Sequence, residues 1–333
     1  MNKAKVSNTG EIKATLGSSN TLAFVANESK FENSGNLTLT SSDSHAIYVN
    51  DGSTENTGKI TVDNKNNDKP SIAMTGMQTG KDVTLTNNGE ISVSNNSIGM
   101  YLDKGAIGTN KKEIISQKKN SVGVHVNGKE TKFTNTGKIN ADNIGVYLNE
   151  TKENNIKINN IELTNDNAVA VYANNSKVDF EIKPIVKENE LPNNLVSLYA
   201  TGDTEISSKI STAKGKNSIG IYLKDNKVSF KDGASVEITE GHKDENGVNY
   251  NTGIYTDSTY NGDLKVNIEN KAKNTIGIAV SENSKVNYSG TIKTGKDSIG
   301  ILAKGNLITK DSSFDIDGGT GTVSYTHLRA HET

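Results

Sequence analysis

One phrase, best written Ser-Ile-Gly-Ile-Tyr-Leu, recurs along the chain and limits the fold more than any other feature. It stands at residues 97–102 (SIGMYL), 143–148 (NIGVYL) and 218–223 (SIGIYL), with variants at 121–126 (SVGVHV), 275–280 (TIGIAV) and 298–303 (SIGILA). Looser copies fill the intervals between them. The third position of every copy is read as small: Ala23, Ala46, Ala73, Gly99, Gly123, Gly145, Ala170, Ser197, Gly220, Gly253, Gly277 and Gly300. These twelve residues span 277 positions in eleven intervals, a mean near 25. Such a period belongs to solenoids and arrays rather than to ordinary globular domains.

The phrase lacks the i, i+3, i+4, i+7 apolar spacing of an amphipathic helix and alternates instead. Its period of two assigns Ile98, Met100 and Leu102 to an inward face, and Gly99 and Tyr101 to the opposite one. The same register stacks Ile219, Ile221 and Leu223 with Val122, Val124 and Val126 and with Ile144, Val146 and Leu148. A second phrase, Asn-x-Gly followed by an alternating strand, occurs at 33–39 (NSGNLTL), 56–62 (NTGKITV), 87–93 (NNGEISV) and 135–140 (NTGKIN). Asn and Gly tolerate positive φ, so this phrase is read as a bend just before a strand.

Each unit therefore holds two or three short strands. A propeller blade needs about 40 or more residues. The shorter period selects an all-β fold, a right-handed parallel β-helix of about 12 coils of roughly 25 residues. In-register stacking of like residues also accounts for the 45 asparagines, because Asn amides one coil apart can form ladders.

The outward face of the phrase carries Tyr48, Tyr101, Tyr147, Tyr172, Tyr199, Tyr222 and Tyr255, seven of the eleven tyrosines. Stacked at every coil, they form an aromatic ladder that either covers strand backbone or offers a strip to a glycan or protein partner. The longest break in the repeat is the 33-residue interval between Gly220 and Gly253. Its excess is placed in residues 239–249 (TEGHKDENGVN), which lack strand alternation. That segment is expected to project from the coil, with His242, Lys243, Asp244, Glu245 and Asn246 as candidate contact residues.

The rest of the sequence argues against chemistry. There is no cysteine for a thiolate metal site and no Gly-x-Ser-x-Gly nucleophile elbow. His45, His125 and His242 read as ordinary repeat or turn residues, so no catalytic residue, metal site or cofactor is expected. A net charge of −2 gives no reason to expect nucleic acid. No apolar run approaches the ~18 residues of a transmembrane helix. Residues 323–333 (VSYTHLRAHET) differ from everything before them and hold Arg329, the only arginine. They resemble one reading frame of a transposase-based sequencing adaptor, so residues 1–322 are taken as repeats and 323–333 as a non-native tail.

The Asn-x-Gly-x-Ile and Ser-Ile-Gly-Ile-Tyr-Leu units together resemble the passenger regions of fusobacterial autotransporter adhesins, over nearly all of residues 1–322. That resemblance implies an internal fragment of a surface-exposed β-helical stalk at the outer membrane, exported by a C-terminal β-barrel translocator (type V secretion). It further implies adhesion, through a protein or glycan receptor, to host cells or other bacteria, and hence a role in virulence and no enzymatic activity. The alternative is a carbohydrate-active β-helix, a polysaccharide lyase or hydrolase, since such enzymes share the architecture. They need clustered carboxylates beside Lys or Arg on one sheet face.

Overall fold

A computed structural model of the chain describes residues 3–15, 19–64, 69–187, 191–244, 247–269, 272–316 and 319–324. The regular structure of these residues is all strand. The chain divides into two units: Met1–Phe180 with Pro184–Lys187, and Glu181–Lys183 with Glu188–Thr333.

In the first unit every coil contributes three short strands, as in Ser29–Asn33, Asn36–Leu39 and His45–Val49. Each pairs in parallel with its equivalent one coil on, at Gly52–Asn56, Lys59–Asp63 and Ser71–Met77. The result is a parallel β-solenoid whose three sheets run along its length. The alternating residues of the strand after Asn-x-Gly (Leu37, Leu39, Ile60, Val62, Ile91, Val93) face those of the phrase strand (Ile47, Met74, Met100, Val124, Val146), all 0% exposed. Each coil buries too little alone, and stacking makes one continuous apolar column.

The asparagines form the ladder that stacking allows. Asn8 donates to Asn33 (2.8 Å), Asn33 to Asn56 (2.7 Å), Asn56 to Asn87 (2.8 Å), Asn87 to Asn110 (2.8 Å) and Asn110 to Asn135 (2.7 Å). The glycine two residues on is needed for a different reason than the bend expected of it. Gly35, Gly58 and Gly89 do not take positive φ. A Cβ on any of them would lie 1.9–2.0 Å from the carbonyl oxygen of the glycine one coil before. Close backbone approach, not backbone conformation, selects glycine here. Positive φ falls in other turns, and among the described residues twelve of the twenty non-glycine cases there are asparagine, Asn95, Asn120 and Asn167 included.

In the second unit the phrase strands Val196–Thr201, Ile219–Leu223, Asn251–Thr256, Thr275–Val280, Ile299–Ala303 and Thr320–Ser324 continue the pattern. Its other strands are less regular. Lys285–Thr294 runs as one long strand beside Asn306–Ile316, with a shift of register between Tyr288 and Gly290. Tyr260 and Tyr288 lie inside this unit, at 0% and 1% exposure.

Two readings of the phrase need correction. First, the small residue faces inward. A Cβ on Gly99 would sit 2.8 Å from the core methyl Cγ2 of Ile114 and 2.4 Å from the Gly123 carbonyl oxygen. Met100 is also buried, so two successive residues face the core and the strand kinks as at a bulge. Alternation then turns the first aliphatic residue outward. Ile98 is 9% exposed and Val122, Ile144 and Ile219 are half-buried. Only the second and third aliphatic residues, such as Ile221 and Leu223, stack at 0% exposure. Second, Ala23 pairs with Ile47, which places Leu22, not Ala23, at the small position of the first coil. Beside the twelve phrases, Thr320–Ser324 adds a strand that pairs with Ile299–Ala303. It sets Val323 opposite Leu302 and Ser324 opposite Ala303. Residues 325–333 lie outside the described residues.

Candidate binding face and its groove

The kink at the small residue aims the fifth residue of each phrase outward, one ring above the next. In the first unit Phe24 stacks on Tyr48 with centroids 5.6 Å apart, and Tyr147 on Tyr172 at 4.9 Å. His125 occupies the same column and meets Tyr101 (5.0 Å) and Tyr147 (4.5 Å) edge-on. In the second unit Tyr199 and Tyr222 lie nearly parallel at 4.8 Å, and Tyr255 follows at 5.2 Å. Phe24 and His125 were not counted in the column, although both stand at the fifth position of their phrases. Phe24 is 61% exposed.

Partial burial and nearby carboxylates tune these rings. Burial, and then Asp103, push the Tyr101 hydroxyl up to about 12. Burial, followed by its 2.8 Å hydrogen bond to Asp257, raises the Tyr222 hydroxyl. Burial against its aromatic neighbours pushes the His125 imidazole down to about 4, against the opposing pull of Asp103. Asp103 also ends a second amide ladder, accepting from Asn127 at 2.8 Å while Asn149 donates to Asn127 at 2.6 Å.

The ladder is interrupted. Thr75 replaces a ring in the first unit, and Ala279 and Leu302 replace two in the second. At the second interruption lies a groove of about 560 Å³, lined among others by Tyr255, Ala279, Leu302, Asp257, Glu282 and Lys304. Partial burial pushes the Asp257 carboxyl up, but hydrogen bonds from Tyr222, Thr259 and Ser258 outweigh it and hold the group below its ordinary value. Asp257, Glu282 and Lys304, which line this groove, were not among the residues singled out from the sequence. The signal was present in the phrases TIGIAV and SIGILA, which lack the tyrosine.

The longest repeat interval contains an antiparallel hairpin, His242–Asp244 paired with Gly247–Asn249. Among the described residues its strands pair with each other and with no coil strand, so the segment forms a strand pair. His242 and Lys243 border a hollow of about 340 Å³ with Leu191, Lys214, Glu240 and Asn274. Glu245 and Asn246 lie outside the described residues, as does the side chain of Asp244. Among the described residues no three His, Cys, Asp or Glu side chains gather in a way that could hold a metal ion. No helix of the described residues is long and apolar enough to cross a membrane.

Residues 2–122, about a third of the chain and all within the first unit, match the family model of the BigA third pectate lyase-like domain. No curated protein and no solved structure matches the chain.

Proposed function

We propose that the chain is a stretch of the exported passenger of a type V autotransporter, of the kind found in fusobacterial adhesins. In this reading it stands at the bacterial surface and binds rather than catalyses. The observation that carries the reading is the phrase sheet. Coil after coil presents a half-exposed column of rings, Tyr147 to Tyr172 in one unit and Tyr199 to Tyr255 in the other. A repeated, largely aromatic face suits extended contact with a partner surface. A lyase site instead concentrates acids and bases at one point. Similarity to a pectate lyase-like domain supports the β-helical architecture and keeps the polysaccharide lyase as the competing reading.

Displaying the chain on a non-adherent bacterium tests both. Under the adhesin reading, display raises attachment to host epithelial cells or partner bacteria above that of the bare carrier. The purified chain then leaves polygalacturonate and related polysaccharides uncut. Attachment equal to the carrier, together with release of unsaturated oligosaccharides, would replace this reading with the enzymatic one.

A further inference from the structure

We infer that the interruption of the ladder in the second unit is a saccharide-binding slot that takes an uncharged pyranose ring of a glycan. The inference deepens the adhesive reading above by giving it a site. It starts from register. Tyr255 pairs with Ala279, and Ala279 with Leu302, so these three are successive rungs of one column. Coils repeat at about 4.8 Å, which puts Tyr255 and Leu302 roughly 9.6 Å apart with only a methyl group between them. A gap of two rungs admits one flat ring and little more.

The walls set the chemistry of the occupant. Tyr255 has a ring on one side only: Tyr222 covers it at 5.2 Å, and its other side faces the Ala279 rung. A pyranose lays its C–H face on such a ring, as apolar surface meeting an aromatic π-face. The rim of the groove is polar, with Asp257, Ser281, Glu282, Asn283 and Lys304. Glu282 and Asn283 are exposed, so their acceptors and donors are free to turn to ring hydroxyls. An aromatic side chain of a protein partner would fill the gap but leave that rim unmatched. Two carboxylates against one ammonium leave the rim acidic, which disfavours uronic-acid polymers and favours uncharged hexoses or N-acetylhexosamines. The other interruption, at Thr75, offers no such space, because His45 reaches across it to bond Thr75 at 2.7 Å.

The test uses the full chain on a glycan array carrying uncharged oligosaccharides beside polygalacturonate, with two variants. Ala279→Tyr restores the missing rung and closes the slot, and Tyr255→Ala removes the stacking wall. Uncharged glycans should bind the parent chain, and each variant should lose at least tenfold in binding while its circular dichroism spectrum is unchanged. Glu282→Gln keeps the volume and should weaken binding several-fold. Undiminished binding by both Ala279→Tyr and Tyr255→Ala, binding of the polyanion alone, or binding of no glycan would each overturn the slot. Surface display separates the two levels. If the array finds no glycan binding that depends on Ala279 and Tyr255 while displayed cells still adhere, the slot fails and the adhesive reading stands. If the purified chain binds glycans but displayed cells do not adhere, the slot stands and the adhesive reading fails.

Discussion

At the scale of single residues, composition is set by contacts between coils. Gly123 illustrates it: a Cβ there would lie 2.5 Å from the Gly145 carbonyl oxygen and 2.8 Å from Cγ2 of Ile139. Neither backbone nor buried isoleucine can retreat without disturbing the next coil. Gly123→Ala is therefore expected to cost about 1–3 kcal/mol, as overpacking does, seen as a lower denaturant midpoint. An unchanged midpoint would show that the coils can separate at that point. His125 gives a pH signature of known sign. Its folded pKa is depressed to about 4 by burial. An unfolded histidine protonates near pH ~6.5. Between these values the unfolded chain binds more protons, so stability falls as pH drops through this window and recovers as pH rises. His125→Tyr, which supplies the residue found at neighbouring rungs, should flatten that part of the dependence of melting temperature on pH. His45, also depressed by burial, leaves a residual slope of the same sign.

Among the elements, the phrase strand and the hairpin stand at opposite ends of the stability range. The phrase strand is held by parallel pairing on both sides and by its two buried aliphatic residues; Ile219–Leu223, for example, lies between Val196–Thr201 and Asn251–Thr256. The hairpin is held by three residue pairs, His242 with Asn249, Lys243 with Val248 and Asp244 with Gly247. A two-stranded ribbon on its own is marginal in water. Replacing residues 242–249 by a short turn should leave the circular dichroism spectrum and melting temperature of the chain essentially unchanged. A fall of many degrees would mean that the hairpin braces the coil from which it leaves.

At the scale of the whole molecule, strand pairing within each unit runs between successive coils, so damage is expected to stay local. Ile221, 0% exposed, makes the point testable. Ile221→Asp buries an unpaired carboxylate, at a cost of several kcal/mol. Hydrogen exchange should then speed up in the strands around it, Val196–Thr201 and Asn251–Thr256. Protection of Lys59–Asp63 and Glu90–Ser94 in the first unit should persist. Uniform loss of protection along the chain would indicate a single cooperative unit instead.

The sequence by itself determined the architecture, because a solenoid writes its period directly into the chain: the same strand, the same Asn and the same small residue return each time the chain completes a coil. It also marked the column of tyrosines and the misfit interval after Gly220. What it left to the tertiary structure is whatever depends on the neighbouring coil. The inward turn of Gly99, the carbonyl that excludes a Cβ at Gly35, and the placement of Leu22 instead of Ala23 all follow from packing between coils. Strict alternation could not register them, since one kink in a strand reverses the side to which every earlier residue points. The slot beside Ala279 belongs to the same class. The missing tyrosine of TIGIAV is legible in the sequence, but it becomes a groove only when Tyr255 and Leu302 are stacked on either side of Ala279.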